Sequence, residues 1–213
     1  MLPLLLADGR FPSGGHAHSG GVEAAVDAGR VHDGPSLRAF LDGRLATAGR
    51  VAAALAAAAA TGRHDVDRLE REASARISSP ALRDASLAQG RLLLRAAAAI
   101  LSAGDLPVGD HHHAVAVGLV ARAAGQTPRE AARWAAYDAV AGPAGAAVRL
   151  CGLDPFETWA AVAALAVAVE EVAAEAAARA SDDDLCSLPA CSAPLLDVGA
   201  EHHIRSEVRL FVS

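Results

Sequence analysis

From Val51 to Ala60 the chain is alanine apart from Val51 and Leu55, and similar alanine-dense stretches recur at 95–99, 114–124 and 160–180. Alanine is the strongest helix former and adds little packing volume. A chain built this way forms helices that approach closely, with Leu, Val and a few larger anchors filling the gaps. Hydrophobic residues make up 53% of the sequence and aromatics 3%, so the core cannot rest on rings. No stretch alternates Val, Ile, Thr and aromatics between hairpin turns, which is the pattern a sheet needs. The 213 residues suit one domain with a sizeable core. The expected fold is all-α: a single-domain bundle of about seven helices.

Punctuation divides the bundle. A short helix opens near Ser19, whose hydroxyl is placed to cap Gly21-Val22-Glu23, and ends near Gly29. Pro35-Ser36 opens a run to about Ala60, closed by Gly62, and 65–76 is a charged amphipathic piece. Ser79-Pro80 sets a cap before a first-turn proline and starts a run to Gly104. Residues 114–124 form another. Thr127-Pro128-Arg129-Glu130 is a capping box opening a helix to about Leu150. Asp154-Pro155 repeats the device for a helix to about Ala180. Residues 1–19 read as a glycine-rich N-terminal loop and 20–180 as the helical bundle. The stretch 181–213 reads as a linker and an extended C-terminal tail, because Ser181-Asp182-Asp183-Asp184 is a solvated break and Pro189 and Pro194 interrupt a helix.

The formal net charge is −6 and all 19 basic residues are arginine. Without lysine there is no Schiff base and no P-loop lysine to reach nucleotide phosphates. The arginines are interspersed with acids, so no stripe suits a phosphate backbone, which argues against nucleic acid as a partner. The apolar runs 51–60 and 159–169 are too short for a bilayer. Cys151, Cys186 and Cys191, an odd set without a secretory signal, fit a reducing cytoplasm.

Histidine carries the most suggestive chemistry. His111-His112-His113 are consecutive, His16 and His18 lie in the glycine loop, and His202-His203 in the tail. Imidazole suits nickel or zinc, but consecutive helical residues diverge by about 100°. The triplet is therefore at most a weak, transient metal candidate, against a plainer reading as surface residues with one packed histidine. Cys186 and Cys191 have four residues between them, not zinc-ribbon spacing. Glu170, Glu171 and Glu175 read as a solvated helix face. Ser13, Ser19 and Ser86 lack a nucleophile-elbow setting. No catalytic constellation emerges.

The tail mixes Leu195, Leu196, Val198, Leu210 and Phe211 with Asp197, Glu201, Arg205, Glu207 and Arg209. Burying Leu210 and Phe211 supplies about 3–6 kcal/mol, and ordering about fifteen residues consumes more. On that arithmetic the tail stays mobile until a partner adds contacts, and removing residues 203–213 leaves the melting behaviour unchanged.

Four segments share one resemblance. Phe11-Pro12-Ser13-Gly14-Gly15-His16-Ala17-His18-Ser19-Gly20-Gly21-Val22-Glu23 resembles the N-terminal signature of the UreF family of urease accessory proteins. Residues 83–93 resemble that family's central helix, Ala146-Ala147-Val148-Arg149-Leu150 the end of a later helix, and His203 through Arg209-Leu210-Phe211-Val212-Ser213 its carboxy terminus. The four occur in family order and span nearly the whole chain. Cys151-Gly152-Leu153-Asp154 replaces a common Pro-Leu-Gly-Gln. Ile204, Glu207 and Val212 depart from the usual tail, which affects contacts transferred through those positions.

The resemblance implies an all-α homodimer, not an enzyme, that binds UreD (also called UreH) and the GTPase UreG and couples GTP hydrolysis to nickel delivery into apo-urease. It implies no cofactor of the chain's own, nickel being handled by the assembled complex. The candidate partner-binding residues are His18, Ser19, Glu23, His203, Arg209, Leu210, Phe211 and Ser213. The plainer alternatives are that Ser19 and Glu23 cap the first helix and that Leu210 and Phe211 dock on their own bundle. A helical transcriptional regulator would need a basic recognition helix, and a metal-dependent helical enzyme would need Glu-x-x-His pairs. Neither feature is present. Another helical interaction protein remains the rival reading.

Overall fold

A computed structural model describes residues 2–6, 11–101, 106–107, 109–207 and 209–212. The all-α expectation holds: among the described residues there are helices, turns and loops, with no strand. The order is α1 (Leu2–Leu6), α2 (Val22–Asp27), α3 (Gly34–Arg44), a π-helical stretch (Leu45–Gly49), α4 (Arg50–Thr61), α5 (Val66–Arg76), α6 (Pro80–Ala98), α7 (His113–Ala123), α8 (Pro128–Cys151), α9 (Pro155–Ala163), α10 (Ala166–Arg179) and α11 (Pro194–His203).

The expected caps form. Ser79 Oγ accepts from Leu82 N–H at 3.1 Å, and Thr127 and Glu130 close their capping box at the start of α8. At α3 the cap is Asp33, whose Oδ1 accepts from Ser36 N–H at 2.8 Å. Each side chain satisfies a backbone donor that the first helical turn leaves without a partner.

The alanine run becomes the central helix. Val51 and every residue from Ala53 to Ala60 are buried, so this part of α4 has no solvent face, as a helix apolar all round requires. It packs against α7, α8 and α10. Ala54, Leu55 and Ala58 join one apolar cluster with Leu37, Leu41, Leu69, Val140, Leu165 and Phe211. Ala56 and Ala60 join another with Phe11, Leu93, Val117 and Val120. The core is thus two layers sharing one thin helix.

The differences from the sequence reading lie in segmentation and at the ends. The run 155–180 divides at Ala164–Leu165, where buried Leu165 turns inward. Residues 2–6, read as part of the N-terminal loop, are helical. The run expected to reach Gly104 ends at Ala98, and Gly104 lies outside the described residues. Glu170 and Glu175 are not merely solvated: Glu170 pairs with Arg133 and with Arg129 (3.4 Å), and Glu175 with Arg50 at 3.3 Å.

The C-terminal region needs the largest correction. Pro194 does not interrupt a helix; it occupies the first turn of α11, where its missing N–H costs nothing. Leu196, Gly199, Ala200 and His203 have the spacing of one helix face. A side chain at Gly199 would meet Ala24 Cβ at 3.2 Å, and a Cβ on Gly21 would meet Leu196 Cδ2 at 3.0 Å, so this face lies on α2. Opposite the N-terminus of α6, Glu201 Oε1 accepts from Ser79 Oγ at 2.5 Å and Ala81 N–H at 2.9 Å. A carboxylate is favourable at that positive helix end. The segment 181–193 is also held: Arg76 donates to the carbonyls of Pro189, Leu185 and Leu188 at 2.9, 3.0 and 3.2 Å.

One close approach yields a test. A Cβ on Gly90 would lie 1.9 Å from His111 O, a backbone atom that cannot rotate away. Gly90→Ala should cost about 2–3 kcal/mol and lower Tm by roughly 5–10 °C. An unchanged melt would show that α6 and the 111–112 segment separate freely.

Candidate partner-binding site

The N-terminal loop is shaped by glycine. Gly20 and Gly21 are consecutive left-handed residues at φ +62° and +88°, and a Cβ on Gly20 would sit 2.8 Å from Pro143 Cγ. Only glycine takes this path without penalty. The turn brings Ser19, fully buried, over the start of α2, where its Oγ accepts from Gly21 N–H (3.2 Å) and Glu23 N–H (3.4 Å). Ser19 therefore caps the helix, as its plainer reading held.

Glu23 does something the sequence did not disclose. Glu23 is 4% exposed. Oε1 accepts from Leu210 N–H at 2.7 Å and Oε2 from Phe211 N–H at 3.0 Å. His203, also 4% exposed, places Nε2 at 3.4 Å from Glu23 Oε2 and 3.3 Å from Phe211 O. Both neighbours are acceptors, so Nε2 carries the hydrogen. His203 Nδ1 is buried without a partner. The carboxylate thus takes the place of a backbone ladder for the returning chain, using charge-assisted bonds.

The loop and the tail meet directly. Val212 N–H donates to Ala17 O at 2.8 Å. Arg149 donates to His16 O at 3.1 Å, and its guanidinium carbon lies 4.4 Å above the Phe211 ring, a cation–π distance. Phe211 is buried in the main core. The expectation of a free tail is overturned: α11 supplies most of its order, and only the short stretch after His203 needs pinning. Leu210 is 63% exposed, so self-docking holds for Phe211 alone. Arg209 is exposed. Ser213 lies outside the described residues.

The loop also roofs a cavity of about 590 Å³ lined by His16, His18, Gln89, His113 and Asp138. Burial, reinforced by His18, pushes His113 down to about 4, and burial also lowers His18. Burial raises Asp138 to about 7 against an opposing hydrogen bond from Trp134. Because its folded pKa is raised, the stability linked to Asp138 is full below its ordinary pKa of 3.8 and is lost as pH climbs through about 7. Asp138→Asn should abolish that loss and raise Tm at pH 8 relative to wild type. Parallel melting curves from pH 4 to 8 would contradict this.

The histidine triplet is divided among three tasks. His111 Nδ1 lies 3.2 Å from Glu70 Oε1, while His112 N–H donates to Glu70 Oε2 at 2.9 Å. The His112 ring lies between Ser74 Oγ at 2.9 Å and Ser86 Oγ at 3.1 Å. His113 turns to the cavity. This stitches α5, α6 and α7 together and does not converge on one ion. Among the described residues no group of three or more His, Cys, Asp or Glu side chains is placed to hold a metal ion.

Sequence reasoning missed Arg149 and Arg44. Pro143 lies inside α8 and has no N–H, so the carbonyl four residues back, Ala139, loses its helical donor. Arg44 Nε donates to Ala139 O at 2.9 Å. A proline inside a long helix was the available signal that some side chain must come to its aid.

Fold and site together define an all-helical protein whose N-terminal loop and C-terminal tail are bound into one surface above a polar cavity. The profile of the UreF family matches residues 31–166. The chain belongs to the UreF family of urease accessory proteins. It is 44% identical over 212 residues to the urease accessory protein UreF of Mycobacterium marinum, covering 99% of this chain and 97% of that protein. It is 43% identical over 215 residues to that of Mycolicibacterium vanbaalenii, with the same coverage. Against that of Mycobacterium tuberculosis H37Rv it is 40% identical over 212 residues, again covering 99% and 97%.

Proposed function

We propose that this chain is a non-enzymatic scaffold of urease maturation, acting in the cytoplasm, that binds UreD and the GTPase UreG and couples GTP hydrolysis to nickel delivery into apo-urease. Membership of an accessory family supports the maturation role. With no lysine in the sequence, P-loop chemistry falls to a partner. No helix among the described residues is long and apolar enough to cross a membrane, and the proposed partners are proteins, not nucleic acid. The scaffold carries no cofactor of its own.

The observation that carries the reading is the docked tail. Glu23, His203 and Phe211 hold it from below, which leaves Leu195, Val198, Leu210 and Val212 at 65%, 67%, 63% and 61% exposed. Large apolar groups on an ordered surface mark an interaction site. Arg209, next to Leu210 in the chain and exposed, suits a two-pronged bond with a partner carboxylate. A homodimer belongs to the same reading, and Phe156 and Val167, 87% and 71% exposed on α9 and α10, offer it a separate apolar face.

The test is co-purification with tagged UreD and UreG. Wild type should be retained, and Leu195→Asp/Val198→Asp should lose retention at least tenfold with an unchanged melt. Equal retention of the folded variant would remove this surface from the mechanism.

A further inference from the structure

Arg44 ends α3 and lines the cavity beneath the N-terminal loop. Its Nε is spent on Ala139 O, and that is the whole of its hydrogen bonding among the described residues. No carboxylate lies within ion-pair distance of it there. Arg44 is half-buried, so its guanidinium is not sealed away from the cavity. Its terminal nitrogens border the space in which Gly20 also lies; a Cβ on Gly20 would be 3.2 Å from Arg44 Nη2. The environment is dry enough to pull this guanidinium down to about 10.

The remaining lining does not neutralise it. Among the described lining residues Asp138 is the one acid, and burial, not a cation, dominates its behaviour. Arg149 is committed to His16 O and the Phe211 ring. His18 and His113 are driven towards their neutral forms. A single donor for Ala139 O does not require a guanidinium. Drawing an unpaired cation out of water is costly, and the usual compensation is an opposite charge held by hydrogen bonds.

We propose that this cavity is a binding site for a carboxylate, held by the terminal nitrogens of Arg44, with the Gln89 amide as a neutral donor within the same space. A guanidinium edge matches the two oxygens of a carboxylate. One unspent cation favours a monoanion over a phosphate dianion. The cavity, about 590 Å³, admits either a small free carboxylate or an acidic side chain reaching in from another protein.

The experiment uses the full chain at constant ionic strength, with chloride as the reference anion. Sodium acetate and the tripeptide Gly-Glu-Gly are titrated and followed by thermal shift and by amide NMR. Wild type should show saturable binding of at least one probe. Arg44→Gln should weaken it at least about tenfold, while the surface variant Arg129→Gln should leave it unchanged. Tighter binding of the peptide points to a protein source, and tighter binding of acetate to a free anion. If Arg44→Gln does not fold, Arg44→Lys carries the test, since it keeps the charge and loses the fork. Binding undiminished in the folded Arg44 variant, or no saturable binding of either probe by wild type, overturns the proposal.

Discussion

Deleting residues 203–213 should lower the stability of the chain by about 3–5 kcal/mol and its Tm by roughly 10 °C or more. The deletion removes Phe211 from the core, worth about 1.5–3 kcal/mol. It also strands the carboxylate of Glu23, a residue 4% exposed, without the Leu210 and Phe211 N–H groups or His203. This is the reverse of what the sequence suggested. The earlier arithmetic set fifteen disordered residues against two apolar side chains. It could not include a buried carboxylate 187 residues away in the chain, nor a helix that begins at Pro194 and orders most of the segment through its contacts with α2 and α6. A thermal melt of the truncated protein decides the matter. A Tm within 2 °C or so of wild type would show that the docked tail adds no net stability.

Glu23→Ala should release the tail while leaving the helices in place. Hydrogen exchange at Leu210 and Phe211 should accelerate at least about tenfold, since each backbone N–H donates to the carboxylate and a charge-assisted bond is worth about 1.5–3 kcal/mol. The substitution should cost clearly in the full chain and little in the chain cut at residue 202, where it removes a stranded charge. Such non-additivity is the signature of groups that act as a unit. Equal costs in both backgrounds would show that Glu23 stabilises α2 alone.

Much of the fold was legible because its signals are local. Ser79, Thr127 and Asp154 cap the helices they precede, and the alanine run 51–60 became the buried central helix because nothing in it can face water. The division at Ala164–Leu165 has no glycine or proline to announce it; it follows from where Leu165 packs. The site was half legible. Resemblance brought Ser19, Glu23, His203 and Phe211 together as candidates, and the structure places them in one contact network. Their chemistry was hidden, because whether Glu23 caps its own helix or accepts the N–H groups of a strap from the far end depends on tertiary contact. Arg44 and Arg149 escaped notice for the same reason: each acts on a backbone carbonyl remote in sequence, Ala139 and His16.

On the proposed function the buried side of the tail fixes the surface and its exposed side presents it. That claim is tested most directly by urease activation in a host that expresses the urease subunits, UreD and UreG with nickel supplied but lacks its own UreF. Adding the wild-type chain should yield active urease, and adding the folded Leu195→Asp/Val198→Asp chain should yield at least tenfold less. No activation by wild type, or equal activation by the variant, would contradict the account.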